Sequence, residues 1–593
     1  MKQAVVHPSH SSVLEVLESK IAPAGVVNLT LANGVLTITG DGGANELLFS
    51  LTGDYGWAVS DNVGAADTEI KVNGVSQGFA TTIQAPTSVK GNLGGGNDEI
   101  SFVMAAVSGS FSLLGGDGDD KLTLNQVLIG ESATFDGGAG TDIVFSEDLT
   151  LSGDLNIKGG TGMDGFLLKS LNAGKNVNID MGTGVLEGEL GTGSKVSGNV
   201  KITGLNSASE GAFVGVQGMD VLIQGSLTIC VGSGNSLIFL GGGLGDSVTV
   251  AGLTKLTAGN GLSALSMKGS LFLHGGLNFA AGGGANSIST SDLGTLRTGA
   301  FTYTGGSGDD VVMLGGSDVF LGVTNVTLGD GNNAFYVTTS GQAVINGGAT
   351  FTAGKGNDAI EFTSTDVKVV GLLKVTAGAG NNQLYVQPTS GGNIGALTYV
   401  GGTGDDSLRL HSNAGADELA IIGAVNATMA AGNASEVMLQ KCRLLGGLNV
   451  SSTATNAEFF VMEDTLVSGA VSLKVNGVAG ASLRLDDVSL ASTIFVDTGA
   501  GNDGVTFDNT VAGSTRTSVF AGAVKVLLGT GDIDYFIGGR SGGGATFGCV
   551  FGSSILIDGG LGATDSADFM SDYGNTFAIV PTAASHPGVE FFS

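Results

Sequence analysis

Cysteine, proline, tryptophan and basic residues are all scarce in this chain. Three cysteines in 593 residues, Cys230, Cys442 and Cys549, are too few and too scattered for a disulfide framework or a zinc cluster, and they read as small buried hydrophobes. Six prolines stand against 105 glycines, and the glycines do not fall at every third position, so collagen is excluded. No uninterrupted apolar run reaches the roughly 18 residues of a membrane span. Lysine and arginine number 24 against 54 acids, a net charge of −30. That balance opposes binding to nucleic acid or anionic membranes and suits cations, or solubility outside the cell. The five histidines, His7, His10, His274, His411 and His586, are isolated. Nucleophilic-triad, Cys-His, phosphate-loop and zinc patterns are missing.

What is present is a core and a period. Hydrophobic residues make up 42% of the chain, which argues against disorder. A glycine-rich turn ending in an acid recurs as Gly94-Gly95-Gly96-Asn97-Asp98, Gly116-Asp117-Gly118-Asp119-Asp120, Gly138-Ala139-Gly140-Thr141-Asp142 and Gly160-Thr161-Gly162-Met163-Asp164, with first glycines 22 residues apart each time. Further copies begin at Gly306, Gly329, Gly354, Gly378 and Gly402, spaced 23, 25, 24 and 24. Weaker ones fall at Gly182, Gly232, Gly259, Gly283, Gly499, Gly529 and Gly560. A fixed period of this size marks a solenoid, in which each unit buries its apolar face only against its neighbours.

Short alternating apolar runs follow the turns, for example Ile100 and Phe102, Leu122 and Leu124, Val312 and Leu314, Val505 and Phe507. Period-two alternation of this kind predicts half-buried strands. Further runs such as Val127-Leu128-Ile129 and Ala133-Thr134-Phe135 bring the count to three strands per unit. The expected fold is all-β: one long parallel β-helix of about 20 three-sided coils, each of roughly 22–28 residues, with terminal caps. At a strand spacing of about 4.8 Å, the rod would be roughly 90–100 Å long. The expected organisation is an N-terminal segment and cap over 1–90, a repeat body over 91–565 and a C-terminal cap or tail over 566–593. Ser12-Val13-Leu14-Glu15 reads as a capping box opening a short helix before Pro23. Trp57 and Tyr55 read as a plug for the N-terminal end of the stack.

Glycine suits such corners because it accepts positive φ and allows coils to approach closely. Asparagine and aspartate tolerate the same bend and bond to nearby backbone. Stacking sets Asp98, Asp120, Asp142 and Asp164 about one strand spacing apart. Ionised carboxylates about 4.8 Å apart repel by about 0.9 kcal/mol in water and about 3.5 kcal/mol at an effective dielectric near 20. Such a column must be exposed, protonated or neutralised, and calcium, which takes carboxylate and carbonyl oxygens, would neutralise it.

Gly115-Gly116-Asp117-Gly118-Asp119-Asp120-Lys121-Leu122-Thr123 resembles the glycine-rich nonapeptide of RTX, or haemolysin-type, calcium-binding proteins. Gly137 to Phe145, Gly159 to Leu167, Gly305 to Met313 and Gly401 to Arg409 resemble it equally. The resemblance implies calcium ligation by Asp98, Asp120, Asp142, Asp164, Asp310 and Asp406, with Asp117 and Asp119 of the best-matching turn as further ligands. One copy per 22–28 residues, rather than tandem copies, looks more like the large three-sided β-strand-repeat proteins of bacterial surfaces. In the second block the sixth turn position alternates as Asp310, Asn333, Asp358, Asn382 and Asp406. That pattern suggests a ladder with fewer charges to neutralise, and so weaker calcium binding than in the 94–164 block.

These readings together point to a secreted or cell-surface structural or adhesive protein and not to an enzyme. Its expected partners are cell-surface, matrix or carbohydrate, with self-association, and no nucleic acid or membrane span is expected. The closing Glu590-Phe591-Phe592-Ser593 resembles an uncleaved C-terminal export signal of secreted RTX proteins. The rival reading is a polysaccharide-binding or polysaccharide-degrading β-helix. Its candidate clusters are Arg484 with Asp486 and Asp487, Arg409 near His411, and Glu187 with Glu189, each of which also reads as a solvated face.

Overall fold

The computed structural model describes residues 25–568, apart from 54–55, 62–67, 185, 205–210, 414–417, 431, 433, 463, 477–479, 510–516, 532–533, 542–548 and 561–564, together with 576–577 and 591–592. The capping box, its helix and Tyr55 lie outside the described residues, as does most of the expected tail. Among the described residues there is no helix, and the strands form stacked parallel coils, a β-solenoid with a coil count close to that expected.

Each coil contributes to three faces. The first follows the acidic corner, where Glu99–Val103, Lys121–Asn125, Ile143–Glu147 and Asp164–Lys169 pair in parallel register, one coil upon the next. The second is a narrow face built from pairs of residues, as in Leu128–Ile129 and Thr150–Leu151. The third leads back to the corner through Phe111–Asp117, Ala133–Ala139 and Leu155–Thr161. Because side chains alternate across a strand, every second residue enters the interior. Leu122 and Leu124, for example, are buried while Lys121 is exposed. The result is one continuous hydrophobic core from Val27 to Ala567. Aromatic rings fill it in places: Phe335 packs edge-on against Phe351 at 4.8 Å, and Phe507 stacks on Phe520 at 4.6 Å.

The N-terminal segment departs from this pattern. Val26–Ala32 and Val35–Thr39 form an antiparallel hairpin, and Glu46–Leu51, Gly56–Asp61 and Ala80–Gln84 form an antiparallel meander. These strands nevertheless join the parallel series, since Val35–Thr39 pairs with Ser88–Gly95 and Glu46–Leu51 with Glu99–Val103. Trp57 is buried against Phe49 and Phe102, with ring centroids at 6.0 and 5.8 Å, so its indole fills the core beneath the first regular coil. At the other end, Ser566–Asp568 continues the first face in register with Tyr535–Ser541 and accepts Phe591–Phe592 alongside.

The bend between the first and second faces carries no glycine signal. Met104, Gln126, Asp148 and Ser170 adopt φ of 52°, 55°, 56° and 50°, again 22 residues apart. A residue with a Cβ is disfavoured by about 1–2 kcal/mol in this left-handed region, so the stack holds four consecutive corners against local preference. Replacing the exposed Met104 with glycine is expected to raise stability by about 0.5–1 kcal/mol, the relief of strain exceeding the added entropy of the unfolded chain. Urea unfolding of Met104→Gly beside the parent chain measures it, and an unchanged or lowered midpoint would show that the bend is unstrained.

Candidate functional site: two ladders at the acidic corner

The acidic corners stack into two columns with opposite habits. At the sixth turn position the aspartates turn inward: Asp98, Asp120, Asp142, Asp164, Asp310 and Asp406 are each no more than 2% exposed. Each carboxylate reaches back one coil. The N–H of Asp98 donates to Asp120 Oδ1 at 2.9 Å, that of Asp120 to Asp142 Oδ1 at 2.9 Å and that of Asp142 to Asp164 Oδ1 at 3.0 Å. The first-position glycine makes room for this. A Cβ on Gly115 would lie 2.2 Å from Asp120 Oδ2, and one on Gly137 would lie 2.3 Å from Asp142 Oδ2.

At the fifth position the side chains stay outside and reach forward. Asn97 Oδ1 accepts the Asp119 N–H at 3.0 Å, and Asp119 Oδ1 accepts the Thr141 N–H at 2.8 Å. The same outer ladder runs through Asp309, Asn332, Asn357, Asn381 and Asp405, ending on the N–H of Ala434. Asp119 is therefore an exposed rung, while Asp117 is an exposed residue at the end of its strand.

The second block uses amides as the alternation suggests. Asn333 Nδ2 donates to Asp358 Oδ1 at 2.8 Å and to the Gly331 carbonyl at 3.0 Å, and Asn382 makes the same pair of bonds to Asp406 Oδ1 and Gly380 at 3.0 and 2.8 Å. Asn45 and Asn286 begin the two inner columns in the same way, on Asp98 and Asp310. A third inner column, at the weaker turns whose acids the sequence reading did not single out, joins Asp503, Asp534 and Asp565. The turn at Gly499 has the ordinary spacing to Asp503, whereas those at Gly529 and Gly560 carry one extra residue before Asp534 and Asp565, which moves the acid off the sixth position. Allowing one inserted residue assigns Asp534 and Asp565 to the same position as Asp503.

Burial governs the protonation of the inner column. It pushes Asp98 up to about 8, Asp142 to about 7 and Asp120 to about 6, with neighbouring carboxylates adding to the rise and the backbone N–H bonds opposing it. In the second block Asp310 and Asp358 are raised by burial, and Asp406 reaches about 6. The Oδ2 atoms of Asp98, Asp120, Asp142 and Asp164 have no hydrogen-bond partner among the described residues. The repulsion expected between ionised carboxylates is thus met by burial that favours the neutral acid.

A calcium ion takes about six to eight oxygens. Among the described residues no three acid, histidine or cysteine side chains converge to hold an ion together. What each corner supplies is one buried, unpartnered carboxylate oxygen lying against glycine backbone, which suits a proton directly and a cation only with backbone carbonyls as the other ligands.

Of the rival clusters, Arg484 is ion-paired with Asp486 and Asp508 at 2.6 and 3.4 Å, and Asp486 and Asp487 are buried. Arg409 binds Glu436, and Glu189 accepts a bond from Gln217 at 2.8 Å. No helix among the described residues is long and apolar enough to cross a membrane. No family model matches this chain, and neither a curated protein nor a solved structure matches it.

Proposed function

We infer that this chain is a secreted or cell-surface structural rod with an adhesive role. The observation that carries the reading is the coil-upon-coil parallel pairing of the first face from Glu99–Val103 to Ser566–Asp568. Over that length the sixth-position aspartates and Asp119 are rungs that bond one coil to the next. An acidic surface, with a net charge of −30, keeps such a rod soluble and apart from other anions.

Calcium is the finer part of the proposal. Its support is the orphaned Oδ2 in each coil from Asp98 to Asp164, together with the turn resemblance. In the second block Asn333 and Asn382 replace every second carboxylate, so an orphaned Oδ2 recurs only on alternate coils, at Asp310, Asp358 and Asp406, and calcium would act mainly on the 94–164 block. Melting of the chelator-treated chain at pH 8, with and without millimolar calcium, tests this. A rise of several degrees is expected, consistent with about 1–3 kcal/mol of ligand stabilisation. An unchanged melting temperature would remove calcium and leave the rod, whose ladders bond coil to coil through backbone N–H groups. Negative-stain images decide the rod separately: compact or branched particles would overturn it.

A further inference from the structure

Stacking brings together side chains that lie 23–29 residues apart in sequence. On the first face Met313 pairs with Tyr336, Tyr336 with Glu361, Glu361 with Tyr385, Tyr385 with Arg409 and Arg409 with Met438. All six point outward, one from each of six successive coils. On one flank of this row Ala334 lies beside Tyr336 and Ala359 beside Glu361, and Gln383 lies beside Tyr385. The other flank is polar: Thr338 and Thr363 share a hydroxyl hydrogen bond of 2.9 Å, and Gln387 Nε2 lies 3.2 Å from His411 Nδ1.

We propose that this strip binds a neutral, flat, equatorially linked polysaccharide of the β-1,4 type, lying along the rod. Three features select that occupant. First, the two tyrosines stand two strand spacings apart, roughly 10 Å, which is the length of two sugar rings in an extended ribbon. Alternate rings of one chain therefore meet successive phenols. Aromatic rings with a polar edge pack well against the apolar faces of such sugars. Second, Glu361 between the phenols and the threonine and glutamine flank offer hydrogen bonds at the height of the ring hydroxyls. Third, charge excludes acidic glycans. Arg409 is already neutralised by Glu436, with Nε and Oε2 2.9 Å apart, so the strip's remaining charge is the Glu361 carboxylate, on a chain of net charge −30. An anionic chain would be repelled.

The strip is separate from the acidic corners, so its failure would leave the rod intact. Cellohexaose, mannohexaose and chitohexaose, titrated calorimetrically into the full chain, test the proposal. At least one is expected to bind saturably. Tyr336→Ala with Tyr385→Ala should weaken it by about tenfold for each ring removed. Tyr336→Phe with Tyr385→Phe should stay within a few-fold of the parent, because the stacking face is kept. Circular dichroism establishes that the alanine variant is folded, and Glu361→Gln, which keeps the side-chain shape, provides a second variant whose weaker binding would point to the same strip. The proposal is overturned if none of the three hexasaccharides binds, if the alanine and glutamine variants bind as the parent does, or if polygalacturonate binds more tightly than all three.

Discussion

In calcium-free buffer the rod is expected to lose stability steadily as the pH rises from about 4 to about 8. Asp98 lies at about 8 in the folded chain against an ordinary value of 3.8, and Asp142 and Asp120 lie at about 7 and 6. Folded-state values above the unfolded ones mean that the folded chain holds more protons in this interval. The slope of stability with pH is therefore negative, by about 1.4 kcal/mol per pH unit for each aspartate neutral in the rod and ionised in the unfolded chain. The contribution is complete below pH 4 and is lost as the pH passes through 6, 7 and 8. This runs opposite to ordinary acid denaturation, where paired carboxylates are lost on acidification. Thermal melts at pH 5 and pH 8.5 measure the effect. Asp98→Asn, Asp120→Asn and Asp142→Asn combined should flatten the profile and raise stability at pH 8.5, because Asn333 and Asn382 show that an amide is accepted in the same rung. A flat or rising profile for the parent chain would mean that the column is ionised and balanced by another charge.

The second large effect belongs to glycine. Gly138 has φ of 114°, and a Cβ there would lie 2.0 Å from the carbonyl oxygen of Gly116 on the preceding coil. The nearest atoms are all backbone of Gly116, so no rotamer change can relieve the contact. Gly138→Ala is expected to cost about 3–5 kcal/mol, combining a strained φ with a separation of stacked coils. In a solenoid the damage falls on the adjoining coils. Hydrogen exchange should therefore quicken in strands Phe111–Asp117, Ala133–Ala139 and Leu155–Thr161, while distant coils keep their protection. Gly243, with open space around its would-be Cβ, provides the contrast: Gly243→Ala should change stability by less than about 0.5 kcal/mol. Equal effects at the two sites would deny the corner glycines their steric role.

The architecture was legible in the sequence because it rests on local signals repeated many times: a glycine turn, then alternation, then the same turn 22 residues later. The direction of the corner aspartates was not. Asp120 and Asp119 are adjacent acids in one motif, yet one is buried and reaches back while the other is exposed and reaches forward. Composition cannot separate them, since the choice is made by strand alternation at the end of the turn. The bend at Met104, Gln126, Asp148 and Ser170 was hidden for another reason. Stacking imposes its left-handed φ on residues that do not favour it, so no glycine marks the place. The strip containing Tyr336, Glu361, Tyr385 and Arg409 exists only across coils, and its members are strangers along the chain.

The two ladders run in opposite senses, and this bears on how the protein is made. As a new coil leaves the ribosome, its inner carboxylate finds an N–H already waiting on the coil before it, as Asp142 finds that of Asp120. In the same step its own backbone N–H meets an outer acceptor left by that earlier coil, as Thr141 meets Asp119. Neither bond waits for a later part of the chain. Each coil can therefore be locked to its template without any later part of the chain, and a stack built in that order would leave one unsatisfied edge at its growing tip.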